Sequence, residues 1–287
     1  MLIKFLKVFI LITKEIVIKL EYMKILHLSD PHIEPDILHG IDSQLRFKKA
    51  LKHIKKNHLD SDLFVISGDI TNFGSEGAYK IFLDIVKEAD LPEKLFPKLI
   101  IGNHDNRENF KKYFTEVKND ENGFIQYIET IENKLFIFLD TNEPKTDSGY
   151  FCENRQRWFE NELEKGIDKS IYVFMHHNPL ALADKNSDKI GLVQKDKFKK
   201  ILLKYNKNIK HIFFGHQHIT VSGQYLGITF SSPRSTWSPL VSNFSNKYRL
   251  GTANTDPNYN VVLIKENSLV VHSEDFLKTE VNWFESE

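Results

Sequence analysis

Five apolar runs in this chain end in side chains able to hold a divalent cation. The first is Lys24-Ile-Leu-His-Leu-Ser-Asp30-Pro-His32, followed by Leu63-Phe-Val-Ile-Ser-Gly-Asp69 and Leu99-Ile-Ile-Gly-Asn103-His104-Asp105. Ile171-Tyr-Val-Phe-Met-His176-His177 and His211-Ile-Phe-Phe-Gly-His216-Gln-His218 complete the set. Carboxylate, imidazole and amide donors gathered on one rim make a metal site, and their number suits two ions. Mixed oxygen and imidazole ligation favours Mn, Fe, Co or Zn over Mg or Ca.

Runs of Ile, Val, Leu and Phe bounded by Gly, Asp or Pro read as buried strands. Ligands gather beyond the carboxyl ends of such strands in α/β sheets. The pattern predicts strands at 24–29, 63–68, 98–101, 171–175 and 211–214, so the five tips share one rim if these strands lie side by side. Between them fall predicted helices at Ser43–Lys56, Gly74–Ala89, Phe110–Val117, Asn154–Lys165 and Lys195–Tyr205. Leu45, Ala50, Leu51 and Ile54 form the apolar stripe of the first, and Tyr79, Phe82, Leu83 and Val86 that of the second. Phe124–Thr130 and Lys134–Asp140 read as a hairpin turning at 131–133. Residues 181–194 are polar and irregular, a lid or substrate loop. Strands Val221–Tyr225, Gly227–Ser231, Asn260–Ile264 and Leu269–His272 close the chain.

The 287 residues are 41% apolar, enough for one large α/β domain or two small ones. Lys plus Arg equals Asp plus Glu at 39 each, so no overall field draws nucleic acid or an anionic membrane. Cys152 is the single cysteine, which excludes an internal disulfide framework and a cysteine-based zinc site and fits a reducing, cytoplasmic setting. Twelve histidines are present, six of them at the strand tips themselves.

Residues 1–22 are apolar with Lys4, Lys7, Lys14 and Glu21 on one narrow helical stripe. No charge-free stretch reaches the ~20 residues of a bilayer span. Three readings stand: an over-extended start with Met23 as initiator, an interfacial amphipathic anchor, or a helix packed on the domain. The first is preferred, since Met23 opens the first strand directly. The division expected is an extension at 1–22, a catalytic domain at 23–275 and a short tail at 276–287.

The ordered blocks D-x-H, G-D, G-N-H-D, a strand-end H and G-H-x-H resemble those of the calcineurin-like metallophosphoesterase superfamily over about residues 23–275. Within it, Leu38-His-Gly40-Ile-Asp42, His176-His177 and Ser231-Ser-Pro-Arg-Ser-Thr236 are similar to segments of bacterial class III cyclic-nucleotide phosphodiesterases and glycerophosphodiesterases. The resemblance implies a four-layer α-β-β-α sandwich of the metallo-dependent phosphatase type. It also implies one divalent ion on Asp30, His32 and His218 and a second on Asn103, His176 and His216, with Asp69 bridging. Such a pair lies about 3.5–4 Å apart and activates a water for in-line attack on phosphorus. By the same resemblance His104 protonates or stabilises the leaving oxygen, and Asp105 orients it through its far ring nitrogen. Asn72 and His177 are expected on the substrate side. Adjacent strand residues face opposite ways, so only one of His176 and His177 should point at the ion, and the family pattern selects His176. Where the related enzymes read His-His-Pro-Pro this chain has His177-Asn178-Pro179, a departure in the substrate-side loop that bears on substrate identity more than on metal binding.

The expected substrate is a small phosphate ester, with 3′,5′-cyclic nucleotides ahead of glycerophosphodiesters and phosphomonoesters. A non-catalytic scaffold of the same fold would lack His104 or several ligands, and this chain keeps them. A repair nuclease would carry a basic cap after the metal domain, which balanced charge and the short tail after 275 oppose. No nucleic-acid partner is expected, and association into a homodimer stays open. His27 reads as a core residue, His39, His53, His58 and His211 as surface or loop residues, and Asp140-Thr141-Asn142 as rim structure. Phe136, Phe138, Phe213 and Phe214 read as core, Tyr150 and Trp237 as packing rather than pocket.

Overall fold

The computed structural model describes residues 22–245, 247–252, 254–278 and 284. The extension assigned to 1–22 therefore lies, save for Tyr22, outside the described residues, as does most of the tail.

Strand β1 (Met23–Leu28) leads to helix α1 (Ser43–Asn57), then β2 (Leu63–Ser67), α2 (Glu76–Ala89), β3 (Lys98–Ile100) and α3 (Arg107–Tyr113). The hairpin β4 (Tyr127–Ile131) and β5 (Lys134–Phe138) follows, then α4 (Glu153–Lys165), β6 (Ser170–Phe174), α5 (Lys185–Ile190), α6 (Lys195–Tyr205) and β7 (Ile209–Phe213). Two hairpins end the fold: β8 (Val221–Tyr225) with β9 (Ile228–Ser232), and β10 (Asn258–Lys265) with β11 (Ser268–Asp275).

Side-chain caps explain where helices begin. Asp42 accepts the Leu45 amide ahead of α1, and Ser75 that of Ala78 ahead of α2, two residues beyond the predicted start. Asn106 accepts the Asn109 amide, so α3 starts at Arg107 and not at the predicted Phe110. In α1 the buried stripe is Phe47, Ala50, Leu51 and Ile54, whereas Leu45 is exposed. The predicted loop at 181–194 contains α5, capped by Asp184.

The strands form two mixed sheets, ordered β11-β10-β1-β2-β3 and β4-β5-β6-β7-β9-β8. β1, β2 and β3 run parallel in the first, and β5, β6, β7 and β9 in the second. Period-two alternation gives each strand two apolar faces. Phe64, Ile66 and Leu99 pack with Phe47 of α1, Phe82 of α2 and Phe110 of α3. Ile25, Val65, Phe136, Phe138, Phe174 and Phe213 meet between the sheets, and Ile137, Val173 and Ile212 pack with Phe159 of α4 and Phe198 of α6. The result is the α-β-β-α sandwich. Each fully buried Phe stabilises it by roughly 1.5–3 kcal/mol, and stacking of Phe174 on Phe213 at 4.3 Å locks the two inner strands of the second sheet.

His27 lies in this inter-sheet layer, bonded to Ser67 Oγ at 2.8 Å and edge-on to Phe174 and Phe213. His211, expected at the surface, is buried on β7, its nitrogens each 2.8 Å from Thr229 and Ser231 hydroxyls. Phe276, assigned to the tail, is buried and stacks on Tyr259. Among the described residues no helix is long and apolar enough to cross a membrane.

Candidate metal centre

The five tips belong to both sheets, not to one. β1, β2 and β3 deliver Asp30 and His32, Asp69, and Asn103 to Asp105; β6 and β7 deliver His176 and the 215–218 turn. Backbone ties align the tips within each sheet: Asp30 N–H donates to the Gly68 carbonyl at 3.2 Å, His32 N–H to that of Asp69 at 2.9 Å, and Gly215 N–H to that of His176 at 3.0 Å. His216 N–H donates to the Asp30 carboxylate and His104 N–H to Asp69 Oδ1. Gly215 is required because a Cβ there would collide with the Ser29 and Asp30 side chains.

Asp30, His32, Asp69, His216 and His218 all have left-handed backbone, with φ of 54°, 44°, 47°, 67° and 55°. Such conformations cost about 1–3 kcal/mol each and persist only where the surroundings over-determine them. That five of the strand-tip donors share this feature marks the rim as a built site.

Each of four imidazoles has one nitrogen committed to a protein oxygen. His176 Nδ1–H donates to the Ser67 carbonyl at 2.8 Å, His218 Nδ1–H to that of Ser238 at 2.7 Å, and His216 Nε2–H to that of Ile190 at 3.1 Å. His32 Nδ1 is 2.9 Å from Asn72 Oδ1. A carbonyl only accepts, so the proton is fixed on the outer nitrogen and the inner one keeps a lone pair. The inner nitrogens of His32 and His218 face each other at 3.1 Å. Two lone pairs this close repel unless a cation or proton lies with them. The donor set therefore fits divalent cations.

Asp69 occupies the middle. Its Oδ2 is 3.5 Å from His32 Nε2 and 3.3 Å from His176 Nε2, while His218 Nε2 is 3.5 Å from Asp30 Oδ1. His176 Nε2 is also 3.0 Å from Asn103 Oδ1. One nitrogen or oxygen from each of Asp30, His32 and His218 lies within 4.8 Å of the others, and the same holds for His176, His177 and His216. Asp69 groups in this way with Asp30 and His176, and with His32 and His104.

Electrostatics agree with a cavity built for positive charge. Burial alone would raise the Asp30 carboxyl, but the charge and hydrogen bond of His218 hold it at about 2. Asp69 is likewise buried, yet His176 and His104 keep it well below the usual range. Burial disfavours a charged His176, and Asp69 outweighs it, lifting that imidazole to about 9. His32 and His216 stay neutral, lowered to about 3 chiefly by burial, and neutral imidazole is the ligating form.

Several expectations change. Asp105 does not reach the His104 ring. Its oxygens accept from the amides of Ile70, Thr71 and Gly102 at 2.9–3.1 Å and from Tyr79 OH at 3.0 Å, so it braces the backbone on either side of Asp69 and Asn103. The far nitrogen of His104 instead donates to the Asn72 carbonyl at 2.8 Å. Asn72 thus orients two imidazoles, His32 by its side chain and His104 by its backbone. His177 points into the cluster along with His176, their ring planes 88° apart. Strand alternation fails here because β6 ends at Phe174 and the chain bends through 176–177.

The rim triplet Asp140-Thr141-Asn142 carries more than rim structure. Asp140 binds Arg107 through both oxygens at 2.9 Å, Thr141 Oγ1 is 2.7 Å from His177 Nδ1, and Asn142 Nδ2 donates to the carbonyls of Gly102 and Asp105. Its position directly after a strand, like the ligands, was the available signal. Asn178 is buried, donating to the Leu180 carbonyl and accepting from Gln217 Nε2, which steadies the residue between His216 and His218. Trp237 packs its indole 5.0 Å from the His32 ring.

A model of the family described as calcineurin-like phosphoesterase matches residues 23–220. A protein of Rhodopseudomonas palustris named a probable cyclic nucleotide phosphodiesterase is 28% identical over 260 residues, covering 89% of this chain and 93% of its own length. One of Arcobacter nitrofigilis, named a probable glycerophosphodiester phosphodiesterase, is 29% identical over 74% of this chain and 78% of its own length. A dimetal phosphatase from Danio rerio has a similar fold, with a TM-score of 0.67 at 12% identity over 88% of this chain and 96% of that one.

Proposed function

The chain belongs to the calcineurin-like phosphoesterase family, and from that premise we propose that it hydrolyses a small phosphodiester, a 3′,5′-cyclic nucleotide first, at two cations sharing Asp69. The observation that carries this reading is the seat of Asp69 Oδ2 between His32 Nε2 and His176 Nε2. Asp30, His32 and His218 would hold one cation; Asn103, His176 and His216 the other. Mn, Fe, Co or Zn suits these donors. When bound, the pair would supply Lewis acidity toward phosphoryl oxygens and lower the pKa of a water toward neutrality.

The chain's own groups do the rest. Only Asp30 and Asp69 bring negative charge to the seven donors, and the neutral amide of Asn103 leaves a net positive cavity for a phosphate anion. His104 stands at the partly exposed mouth, its Nδ1–H tied to the Asn72 carbonyl. That tie leaves Nε2 free, and this is the nitrogen that can pass a proton to the leaving oxygen. Asp105 holds the Asp69 and Asn103 turns in register without touching the reacting atoms.

The substrate reading draws on the Rhodopseudomonas relative's name, and the Arcobacter relative favours a glycerophosphodiester as the second choice. A cytoplasmic setting is part of the proposal, in keeping with the single cysteine, Cys152. Turnover of cyclic AMP, glycerophosphodiesters and a chromogenic phosphodiester by Mn-loaded protein tests the reading. Hydrolysis of the cyclic nucleotide with the highest kcat/KM supports it; no turnover of any ester would refute it.

A further inference from the structure

We infer that His177 is a third imidazole for the cation held by His176 and His216, set in place by Thr141 and Gly149. This deepens the two-cation reading and rests on it. His177 is fully buried, and its ring centroid is 4.5 Å from that of His216 and 4.8 Å from that of His176. Its Nδ1 is 2.7 Å from Thr141 Oγ1, while its Nε2 is buried with no hydrogen-bond partner. A buried polar atom without a partner has given up its water and gained nothing in return, a net cost. A cation accepting the Nε2 lone pair removes that cost, and Thr141 Oγ1 accepting Nδ1–H places the lone pair there.

The backbone is shaped around this ring. A Cβ at Gly149 would lie within 2.7 Å of His177 Cβ, Cγ and Nδ1, so the glycine forms a flat wall behind the imidazole. The wall is fastened where Tyr150 N–H donates to the Thr141 carbonyl at 3.0 Å and Val193 N–H to that of Gly149 at 2.8 Å. Together these contacts fix one ring orientation, in which a ring nitrogen of His177 lies within 4.8 Å of ligand atoms of His176 and His216.

The two cation positions then differ. One has two imidazoles and two carboxylates; the other has three imidazoles, the Asn103 amide and the shared Asp69. The second is the nitrogen-rich one and should prefer the borderline metals Zn or Co over Mn.

Titration of chelator-stripped protein with Co(II), read by visible absorption and by competition with a chromophoric chelator, tests this. Wild type should bind two equivalents. His177→Phe should keep one equivalent at wild-type affinity and weaken the other by more than tenfold, with a changed Co(II) spectrum. Thr141→Val, which leaves the imidazole present, should weaken that same equivalent by about 10–100-fold, and Thr141→Ser should restore it. Two equivalents at wild-type affinity in either His177→Phe or Thr141→Val would overturn the inference alone. Wild type failing to bind two equivalents would overturn the two-cation reading and this inference together.

Discussion

Asn142 Nδ2 donates to the Gly102 carbonyl at 2.6 Å, tying the end of β5 in one sheet to the turn after β3 in the other. The same amide reaches the Asp105 carbonyl at 3.2 Å, so a single side chain spans the Gly102–Asp105 turn that presents Asn103 and His104. Seven donors on five segments keep their geometry only if the two sheets cannot slide, and this bond opposes sliding. Asn142→Ala takes away the Asn142 donor from the Asp105 carbonyl and leaves that of Gly102 with the long Asp105 N–H bond at 3.4 Å, and should lower unfolding free energy by about 1–3 kcal/mol. Turnover should drop at least tenfold, as seen by urea denaturation and steady-state kinetics on one preparation.

His104 carries a different expectation. Its side chain hydrogen-bonds the Asn72 carbonyl, not another of the donors. His104→Ala should lower kcat by about 10²–10⁴-fold while metal content by elemental analysis stays at the wild-type value. Loss of metal along with activity would recast the residue as a ligand, a role its grouping with His32 and Asp69 would also permit.

Asp105 should behave as a brace. In Asp105→Asn one acceptor oxygen becomes an NH2: at Oδ2 it would leave the Ile70 and Gly102 amides unpaired, at Oδ1 that of Thr71. Each unpaired donor costs about 1–3 kcal/mol, so thermal stability should fall strongly and metal affinity with it. A kinetic defect at unchanged stability and metal affinity would restore the orienting role assigned by resemblance.

Acid sensitivity follows from His211. Burial holds its folded-state pKa at about 3, below 6.5 for the exposed ring. The unfolded chain therefore binds a proton between pH 6.5 and 3 that the folded one refuses. Stability is whole above pH 6.5 and is lost as pH falls, by up to about 1.4 kcal/mol per pH unit for this group. His211→Gln should flatten the pH dependence of unfolding between pH 6 and 4 by about that slope, measured with chelator in every sample so that metal release adds nothing.

The strand tips were legible because apolar runs ending at Asp30, Asp69, Asn103, His176 and His216 are local signals. Fold class follows from the same runs, while their division between two sheets depends on which strand pairs with which, a long-range fact. His177 departs from strand alternation because the strand ends at Phe174, a boundary the apolar run Ile171–Met175 does not mark. The partners of Asp105 lie at Ile70, Thr71 and Tyr79, and no spacing within Gly102-Asn-His-Asp105 points to them. Thr141 and Asn142 reach the site by side chains crossing from β5, which only the assembled sandwich reveals. The depth of His211 likewise reflects Thr229 and Ser231, brought alongside by the pairing of β7 with β9.

The shared carboxylate is open to direct measurement by electron paramagnetic resonance of the protein loaded with two equivalents of Mn(II). A carboxylate held by both ions brings them to about 3.5–4 Å, so an exchange-coupled spectrum is expected, collapsing to isolated Mn(II) signals in Asp69→Ala. Two equivalents bound with only the six-line pattern of separate ions in the wild type would contradict the account.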